Sequence, residues 1–282
     1  MKPTHLSLLF YLLFTSNVFS QNIDIQQLHS NIFSNTRKIR VYLPPGYYQA
    51  SKSYPVLYMN DGIATFDAYN LKQLTDSLIN NKLIEPLIIV GIDNGGSVEG
   101  SKNPIRDRAN EYLPWPDLNE TVNANKIKKP AVYEYPLFLF NEVMPMINKK
   151  YRTKTGKLNT GLGGASYGAL IALYTAIHRP GKIGFLLLES PSLYVYDEQV
   201  LKELGKMPEF PKTYIGIGTR EGATKAIQLT ALNDAKKLDK ILTAEYGNKK
   251  VWLKIDTGAS HNFDFFAKRF PLALKFLYGK TH

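Results

Sequence analysis

Cysteine is absent from this chain of 282 residues. The chain therefore has no disulfide bond, no thiolate nucleophile, no cysteine-based zinc site and no lipid-modified cysteine. Low-complexity runs and internal repeats are also absent, while 44% of the residues are hydrophobic and 12% are aromatic. Such a composition can bury a substantial core, so we expect an ordered chain. Its length fits one large domain, with two small domains as the alternative.

Dense clusters of basic residues are scarce, although the formal net charge is +11. Lysine and arginine are spread along the chain, and the tight runs are short, such as Lys126-Ile-Lys128-Lys129. A nucleic-acid-binding surface needs clustered positive charge. The sequence therefore predicts a basic protein with no nucleic-acid partner.

Long apolar runs are confined to the N-terminus, MKPTHLSLLFYLLFTSNVFS. Lys2 precedes the apolar stretch LSLLFYLLF, and small or moderate residues follow at Val18 and Ser20. This layout predicts a secretory signal peptide over residues 1–20, cleaved after Ser20. An uncleaved anchor is the alternative, but the apolar run is shorter than the ~20 residues that a membrane span needs. We expect a periplasmic or secreted mature chain without a membrane span.

Short apolar strands alternate with helix-like segments along the rest of the chain. Strands are predicted at residues 38–43, 54–59, 86–92, 158–163, 183–188, 214–218 and 251–255, and helices at 70–80, 136–149, 167–178 and 263–278. This alternation is typical of an α/β fold with a mostly parallel, doubly wound sheet and helices on both faces. No linker-like boundary interrupts it, so we predict one domain over residues 21–282.

Residues 93–132, rich in Gly, Asn and Pro, are predicted to be a long irregular loop or insertion near the active site. Connections between helices and strands in compact domains are ordinarily shorter than this segment. Some side chains in this segment offer charge and stacking surface, which would suit a polyphenolic, sugar-linked or anionic substrate. They are Arg106, Arg108, Tyr112 and Trp115. The alternative, which we favour for most of them, is that they pack the loop down, with Glu111 pairing an arginine.

The stretch GLGGASYGAL, residues 161–170, contains the pattern G-x-S-x-G around Ser166. It lies between a predicted strand and a predicted helix, which is the context of a nucleophile elbow. Gly164 and Gly168 leave room for a tight strand–helix crossing, and the N–H of Tyr167 is then aimed to stabilise an oxyanion. The pattern alone equally fits a glycine-rich turn in which Ser166 caps the helix.

A catalytic serine needs a base, and the chain has five histidines. His5 lies in the leader, His29 precedes the first clear strand, and His282 is the terminal residue. His178 ends the helix that follows the candidate serine, roughly 15 Å or more away. His261 remains, on a loop directly after the last strand, where a histidine reaches the serine from the carboxyl edge of the sheet. The alternative interpretation is that His261 is an ordinary surface histidine.

The acid that orients the histidine is expected between serine and histidine, at the end of a strand. Glu221 fits because it follows the predicted strand YIGIG, and Asp256 and Asp197 are its rivals. Each of these carboxylates also fits a solvated loop charge. The order Ser166, Glu221, His261 is the chain order of the α/β-hydrolases. This agreement favours Ser166 as a nucleophile.

Four sections of the chain, spanning about residues 37–278, carry a resemblance to a known family. They are RVYLPPGY; PVLYMNDGIATFD; IIVGIDNGG followed by RDRANEYLP; and the group GGASYGAL, GTREG and GASHNFDFF, which supplies nucleophile, acid and base. Together they resemble an esterase family of the α/β-hydrolases, which includes esterase D-like, enterochelin-esterase-like and family 1 carbohydrate esterases.

The resemblance implies the α/β-hydrolase fold, a serine esterase and, as substrate, an acylated carbohydrate, a feruloyl-type ester or a siderophore-type ester. It also implies that the turn Asp61-Gly62-Ile63 lies beside the nucleophile. Ile63 then supplies a second oxyanion-hole N–H, and Asp61 and Gly62 become candidate substrate-binding residues. The sequence departs from the family pattern at Asn60, Ile63 and Ala64, which affects side-chain contacts to substrate more than a backbone donor.

The predicted mechanism is two-step acyl transfer, with Ser166 as nucleophile, His261 as base and Glu221 as the orienting acid. Water then hydrolyses the acyl-enzyme, and no metal or organic cofactor is required. An acyltransferase using the same three residues is one competing hypothesis. The other is a binding module on a degenerate hydrolase scaffold, against which the presence of all three residues argues.

Overall fold

Eight strands form one sheet in the computed structural model, which describes residues 23–116, 133–205 and 208–280. Their bounds are β1 Ile23–Ser30, β2 Asn35–Tyr42, β3 Val56–Asn60, β4 Ile88–Ile92, β5 Thr160–Ala165, β6 Phe185–Glu189, β7 Lys212–Arg220 and β8 Val251–Ser260. The predicted leader, and residues 117–132 of the predicted insertion, lie outside the described residues.

The strand order across the sheet is β1-β2-β4-β3-β5-β6-β7-β8. Strand β2 pairs antiparallel with both β1 and β4, and every other neighbouring pair is parallel. Strands β3, β4 and β5 are buried along their whole length, as expected for central strands covered on both faces. This sheet confirms the predicted fold class, an α/β-hydrolase fold with a mostly parallel, doubly wound sheet.

Helices cover both faces of the sheet. Their bounds are α1 Gly62–Ala68, α2 Leu71–Asn80, α3 Pro104–Tyr112, α4 Glu134–Phe138, α5 Met144–Lys150, α6 Tyr167–His178, α7 Val195–Lys202, α8 Lys225–Tyr246 and α9 Phe263–Tyr278, with a π-helical turn between α4 and α5. One apolar cluster packs α3 to α8 against one face, and a second packs α1, α2 and α9 against the other. Within the described ranges, no helix combines the length and apolar character that a membrane span requires.

Helix α3 corrects the prediction that residues 93–132 are irregular throughout. The side chain of Asn103 accepts a hydrogen bond from the N–H of Arg106 at 3.0 Å, and Pro104 stands at the first helical position. Asparagine and proline favour loops in general, but at these two positions they start a helix. A composition rich in loop residues therefore concealed a well-capped helix.

Strand β1 and helix α1 were not predicted from the sequence. Strand β1, with the sequence IDIQQLHS, lies at the edge of the sheet, and most of its residues remain partly or fully exposed. An edge strand of this kind lacks the continuous apolar run that marks a buried strand. It contains His29, which the sequence placed before the first strand.

The parallel strands bring their carboxyl ends to one edge of the sheet, where ligands and reactive groups gather in open α/β folds. Strands β5, β7 and β8 end at Ala165, Arg220 and Ser260. The next residues in the chain are Ser166, Glu221 and His261, which therefore meet at this edge. The fold alone brings together residues that are far apart in sequence.

Candidate active site

Ser166 occupies a strained turn between β5 and α6. Its backbone angles are φ 60° and ψ −124°, a region that non-glycine residues rarely adopt and that costs of order 1–3 kcal/mol. The backbone N–H of Ser166 donates to the carbonyl of Glu189 at 2.9 Å. Its side chain makes no capping hydrogen bond to α6, so the helix-cap alternative does not apply.

Two glycines permit the close crossing at this turn, as the sequence predicted. A Cβ at Gly164 would lie 2.7 Å from the carbonyl carbon of Gly168, and one at Gly168 would lie 2.9 Å from a carboxylate oxygen of Asp61. The side chain of Asn60 donates to the carbonyl of Gly168 at 2.7 Å, and Tyr135 donates to Asn60. The end of β3 is therefore tied directly to the first turn of α6.

His261 and Glu221 form a hydrogen-bonded pair. His261 Nδ1 lies 2.6 Å from Glu221 Oε2. The other carboxylate oxygen, Oε1, accepts hydrogen bonds from Ser190 Oγ at 2.7 Å and from the N–H of Gly218 at 2.5 Å. A Cβ at Gly218 would approach Glu221 Oε1 to 2.7 Å and the carbonyl oxygen of Ala259 to 2.3 Å. The second glycine in YIGIG therefore makes room for the Glu221 carboxylate.

The environment of Glu221 favours its ionised form. Burial raises the pKa of the Glu221 carboxyl, but the hydrogen bonds from His261, Ser190 and Gly218 outweigh burial and hold that pKa below its ordinary value. An ionised carboxylate only accepts hydrogen bonds, so Nδ1 of His261 carries the hydrogen in their contact. Nε2 of the neutral ring is then the acceptor available to a serine hydroxyl.

Two cavities meet at Ser166 and His261, because both residues line each of them. The smaller cavity, of about 370 Å³, has further walls formed mainly by Tyr194, Ile217, Ala226, Ile227, Thr230 and Ala231. The larger cavity, of about 500 Å³, has walls that include Asp61, Ile63, Ala64, Arg108, Phe263 and Phe266. Ser192 lines the smaller cavity, and its Oγ lies 3.3 Å from Ser166 Oγ.

Asp61, which directly follows β3, is the centre of a second polar group in the larger cavity. Arg108 binds the Asp61 carboxylate with two donors, Nε and Nη2, each at 2.8 Å. Asn94 donates to the same carboxylate at 2.6 Å, and the N–H of Asp61 donates to the Tyr112 hydroxyl at 3.1 Å. The charges of Asp61 and Arg108 therefore neutralise each other within the cavity wall.

The other predicted substrate contacts lie away from the two cavities. Arg106 approaches the carboxylate of Asp107 at 3.3 Å, Tyr112 is fully buried, and Trp115 packs edge-on against Tyr174 with ring centroids 5.6 Å apart. Tyr112 and Trp115 pack the segment down, which is the alternative that the sequence favoured for most of these side chains, whereas Arg106 is partly exposed beside its neighbour in the chain.

Two further expectations for this region are modified by the structure. Glu111 pairs with Arg37, from outside the segment, rather than with one of the segment's own arginines. Gly62 is needed for packing, since a Cβ there would lie 2.7 Å from the Gly91 carbonyl carbon. We therefore leave Gly62, like the packed side chains of the segment, out of the proposed substrate contacts.

The two predicted oxyanion donors belong to residues near Ser166 in the sequence or in the larger cavity. Tyr167 is the first residue of α6, and backbone N–H groups at this end of a helix favour negative charge. Ile63 lines the larger cavity. Burial raises the pKa of Asp93, while Arg40 and the N–H of Ile63 oppose that rise. The Ile63 N–H therefore already interacts with one carboxylate.

The rival acids, and the histidine that ends α6, have other partners. Asp256 lies 3.5 Å from Arg269, and Asp197 pairs with Lys202 at 2.6 Å. His178 pairs with Glu203 at 2.8 Å. Among the described residues, no group of three or more His, Asp or Glu side chains is placed to hold a metal ion.

Sequence reasoning missed four polar residues that support the site: Ser190, Glu189, Arg269 and Asn94. The sequence did contain a sign of the role of Arg269. In α9 it lies on the buried face together with Phe266, Phe270 and Ala273. An arginine on the apolar face of a helix needs a buried partner, and here that partner is Glu189.

The lowered pKa of Glu221 has a measurable consequence for stability. Its folded-state pKa lies below the ordinary value of 4.5, so the ionised carboxylate stabilises the fold above that pH, and this contribution is lost as the pH falls through the folded-state pKa. We expect the difference in free energy of unfolding between wild type and Glu221→Gln to shrink below about pH 4.5.

Urea unfolding between about pH 3.5 and pH 7 measures this difference. Ser166→Ala, which retains the carboxylate, is the control and should keep the wild-type pH dependence. A difference that stays constant, or grows as the pH falls, would contradict the assigned environment of Glu221.

Comparison with known proteins places the chain in a family. The family model described as "Putative esterase" matches residues 30–277. The uncharacterized protein YbbA of Bacillus subtilis (strain 168) is 26% identical over 251 residues, which cover 88% of this chain and 95% of YbbA.

Two solved structures have a similar fold. A ferulic acid esterase aligns with a TM-score of 0.68 and 18% identity, covering 91% of this chain and 97% of that chain. The enterobactin esterase FES from Shigella flexneri aligns with a TM-score of 0.70 and 16% identity, covering 90% of this chain but 58% of that chain. At these identities the two structures bear on the fold, whereas the family match spans most of the sequence. The chain therefore belongs to this esterase family, a family of carboxylic ester hydrolases.

Proposed function

We propose that the chain is a serine esterase that hydrolyses a carboxylic ester through an acyl-enzyme on Ser166. The observation that carries this proposal is one arrangement at the carboxyl edge of the sheet. A serine in a strained strand–helix turn shares two cavities with a histidine whose Nδ1 lies 2.6 Å from a buried glutamate. This arrangement of nucleophile, base and orienting acid is the requirement for an activated serine.

The proposed reaction has two acyl-transfer steps. Ser166 Oγ attacks the ester carbonyl carbon while Nε2 of His261 takes the hydroxyl proton, and Glu221 stabilises the resulting imidazolium. The imidazolium then gives its proton to the departing alcohol, which leaves the acyl group on Ser166. Water, deprotonated by His261, then attacks the acyl carbon; the bond to Ser166 Oγ breaks, the imidazolium returns its proton to Oγ, and the acid is released.

The tetrahedral intermediate carries a negative charge that needs fixed donors. We assign the N–H of Tyr167 and the N–H of Ile63 to this role, because Tyr167 begins α6 directly after Ser166 and Ile63, in α1, lines the larger cavity with Ser166. Donors held in place before the reaction stabilise developing charge without reorganisation. The Ile63 N–H also interacts with Asp93.

The walls of the cavities indicate the substrate. Apolar side chains, among them Ile217 and Ile227, form a large part of the wall of the smaller cavity. The charge of Arg108 in the larger cavity is matched by Asp61. Both features suit uncharged groups better than anionic ones. Of the acylated carbohydrates, feruloyl-type esters and siderophore-type esters, we therefore favour feruloyl-type esters, with the aromatic acyl group in the smaller cavity.

The layout of residues 1–20 supports export of the chain, and we propose that it acts in the periplasm or outside the cell. N-terminal sequencing of the protein recovered from its native host tests this. We expect a chain that begins at Gln21. An intact leader would contradict both export and cleavage.

Ser166→Ala should lower turnover of any accepted ester by about 10⁴–10⁶-fold without unfolding the protein. The first measurement is the intact mass of the mature protein after treatment with a fluorophosphonate probe, for wild type and Ser166→Ala in parallel. We expect one adduct on wild type and none on the variant. An unlabelled but folded wild type would contradict the proposed chemistry and favour a binding module.

Turnover of an accepted ester by further variants identifies the acid. Glu221→Gln should lower kcat by about 10⁴-fold, as loss of the orienting carboxylate does in serine hydrolases. Asp256→Asn is the matched control and should keep most of the activity. The reverse pattern would move the role of acid to Asp256.

The assignment of the smaller cavity to the acyl group has its own test. Ile227 lies in its wall, so Ile227→Trp should lower kcat/KM for methyl ferulate by at least about 10-fold, while that for 4-nitrophenyl acetate changes little. Leu229→Trp is the matched control, because Leu229 is an exposed residue of the same helix outside the cavity walls. Equal loss on both esters, or none, would contradict the assignment.

A further inference from the structure

A chain of polar contacts lies directly behind Glu221. Ser190 Oγ is 2.7 Å from Glu221 Oε1, and Arg269 Nη2 is 3.2 Å from Ser190 Oγ. Arg269 Nε in turn donates to Glu189 Oε2 at 2.9 Å. Arg269 is 1% exposed and Glu189 is fully buried, so bulk water does not compete for these contacts. The four residues connect β6, the end of β7 and α9.

The chemistry of these groups sets the direction of the hydrogen bonds. A guanidinium only donates, whereas a hydroxyl has one hydrogen and can also accept. Because Arg269 occupies an acceptor position of Ser190, the single hydrogen of the Ser190 hydroxyl is directed to Glu221. Glu221 Oε1 then receives two donors, one from Ser190 and one from the Gly218 N–H.

The backbone holds this chain of polar contacts in place. Ser190 has φ 42°, a left-handed conformation that is uncommon for residues other than glycine, and its N–H donates to the carbonyl of Gly216 at 2.8 Å. A Cβ at Gly216 would lie 2.5 Å from Glu189 Oε2. The alternating glycines of YIGIG thus give space to Glu189 and Glu221 in turn.

We propose that Ser190 and Arg269 are positioning residues for Glu221, with Arg269 orienting the Ser190 hydroxyl and Ser190 orienting the carboxylate toward His261. This inference rests on the proposed function, in which Glu221 is the orienting acid. Neither residue contacts the reacting atoms. Their effect is to fix the carboxylate plane, so that Oε2 faces Nδ1 of His261 throughout the reaction.

The electrostatics of the group are consistent with this role. Burial raises the pKa of Glu189 to about 7; Arg269 opposes the rise, while the nearby carboxylates of Glu221 and Asp256 add to it. One buried guanidinium thus lies among three acidic side chains. Its positive charge offsets the repulsion that an ionised Glu221 would otherwise experience in this low-dielectric region.

Ser190→Ala removes the hydroxyl alone and is the main test. We expect kcat for 4-nitrophenyl acetate to fall about 10–100-fold with little change in KM, because a displaced catalytic group slows the reaction without weakening binding. The downfield ¹H resonance of the His261 Nδ1 hydrogen should shift or broaden. Ser30→Ala is the matched control, since Ser30 is a buried serine of β1 whose hydroxyl accepts from the Phe33 N–H.

A second experiment tests the part played by Arg269. The double variant Glu189→Gln/Arg269→Gln removes both buried charges together, so that neither is left unpaired. We expect it to lose kcat to a similar extent as Ser190→Ala. Adding Ser190→Ala to the double variant should cost little more, because the residues act through the same hydroxyl and their effects are not additive.

The outcomes separate this inference from the proposed function. Wild-type activity and an unchanged resonance in Ser190→Ala would overturn the positioning role. So would a triple variant whose loss of kcat equals the product of the losses in Ser190→Ala and in the double variant. Failure of the fluorophosphonate to label wild-type Ser166 would instead overturn the proposed function itself. Loss of kcat in Ser30→Ala would show that a buried hydroxyl anywhere affects turnover, which also overturns the positioning role.

Discussion

The close approach of β3, β5 and α6 is the constraint on which the rest of the site depends. Gly164 and Gly168 allow it, and the hydrogen bond from Asn60 to the Gly168 carbonyl maintains it. A strained residue persists only where its surroundings leave no alternative. Ser166 meets this condition, because its neighbours on both sides are fixed and its own N–H is bound to the Glu189 carbonyl.

Charge is distributed unequally around the serine. On the side of β3, Asp61 and Arg108 form a two-donor pair that carries no net charge. On the side of β7, the Glu221 carboxylate faces His261. In the proposed reaction His261 becomes positive, and it is then stabilised on the side of Glu221. The fold thus separates the neutral wall from the charged one.

The sequence predicted the buried elements best. Helices α6 and α9 have the predicted bounds, because their apolar periodicity is strong and their starts follow clear signals. The nucleophile, base and acid candidates came from strand ends, which topology brings together. Edge strand β1 and capped helix α3 were missed, since neither presents a long apolar run. Contacts such as Arg269 with Ser190 depend on tertiary packing, which local patterns do not encode.

The position of β8 has a consequence for the way the protein loses activity. Among the residues that the structure describes, strand β8 lies at the border of the sheet with β7 as its one strand neighbour, and His261 follows its last residue. Regions at such borders open by local fluctuations that need less free energy than global unfolding. Heating would therefore inactivate the protein by local unfolding of β8 while the interior of the sheet stays folded. Amide hydrogen exchange along β8 would report that partial opening.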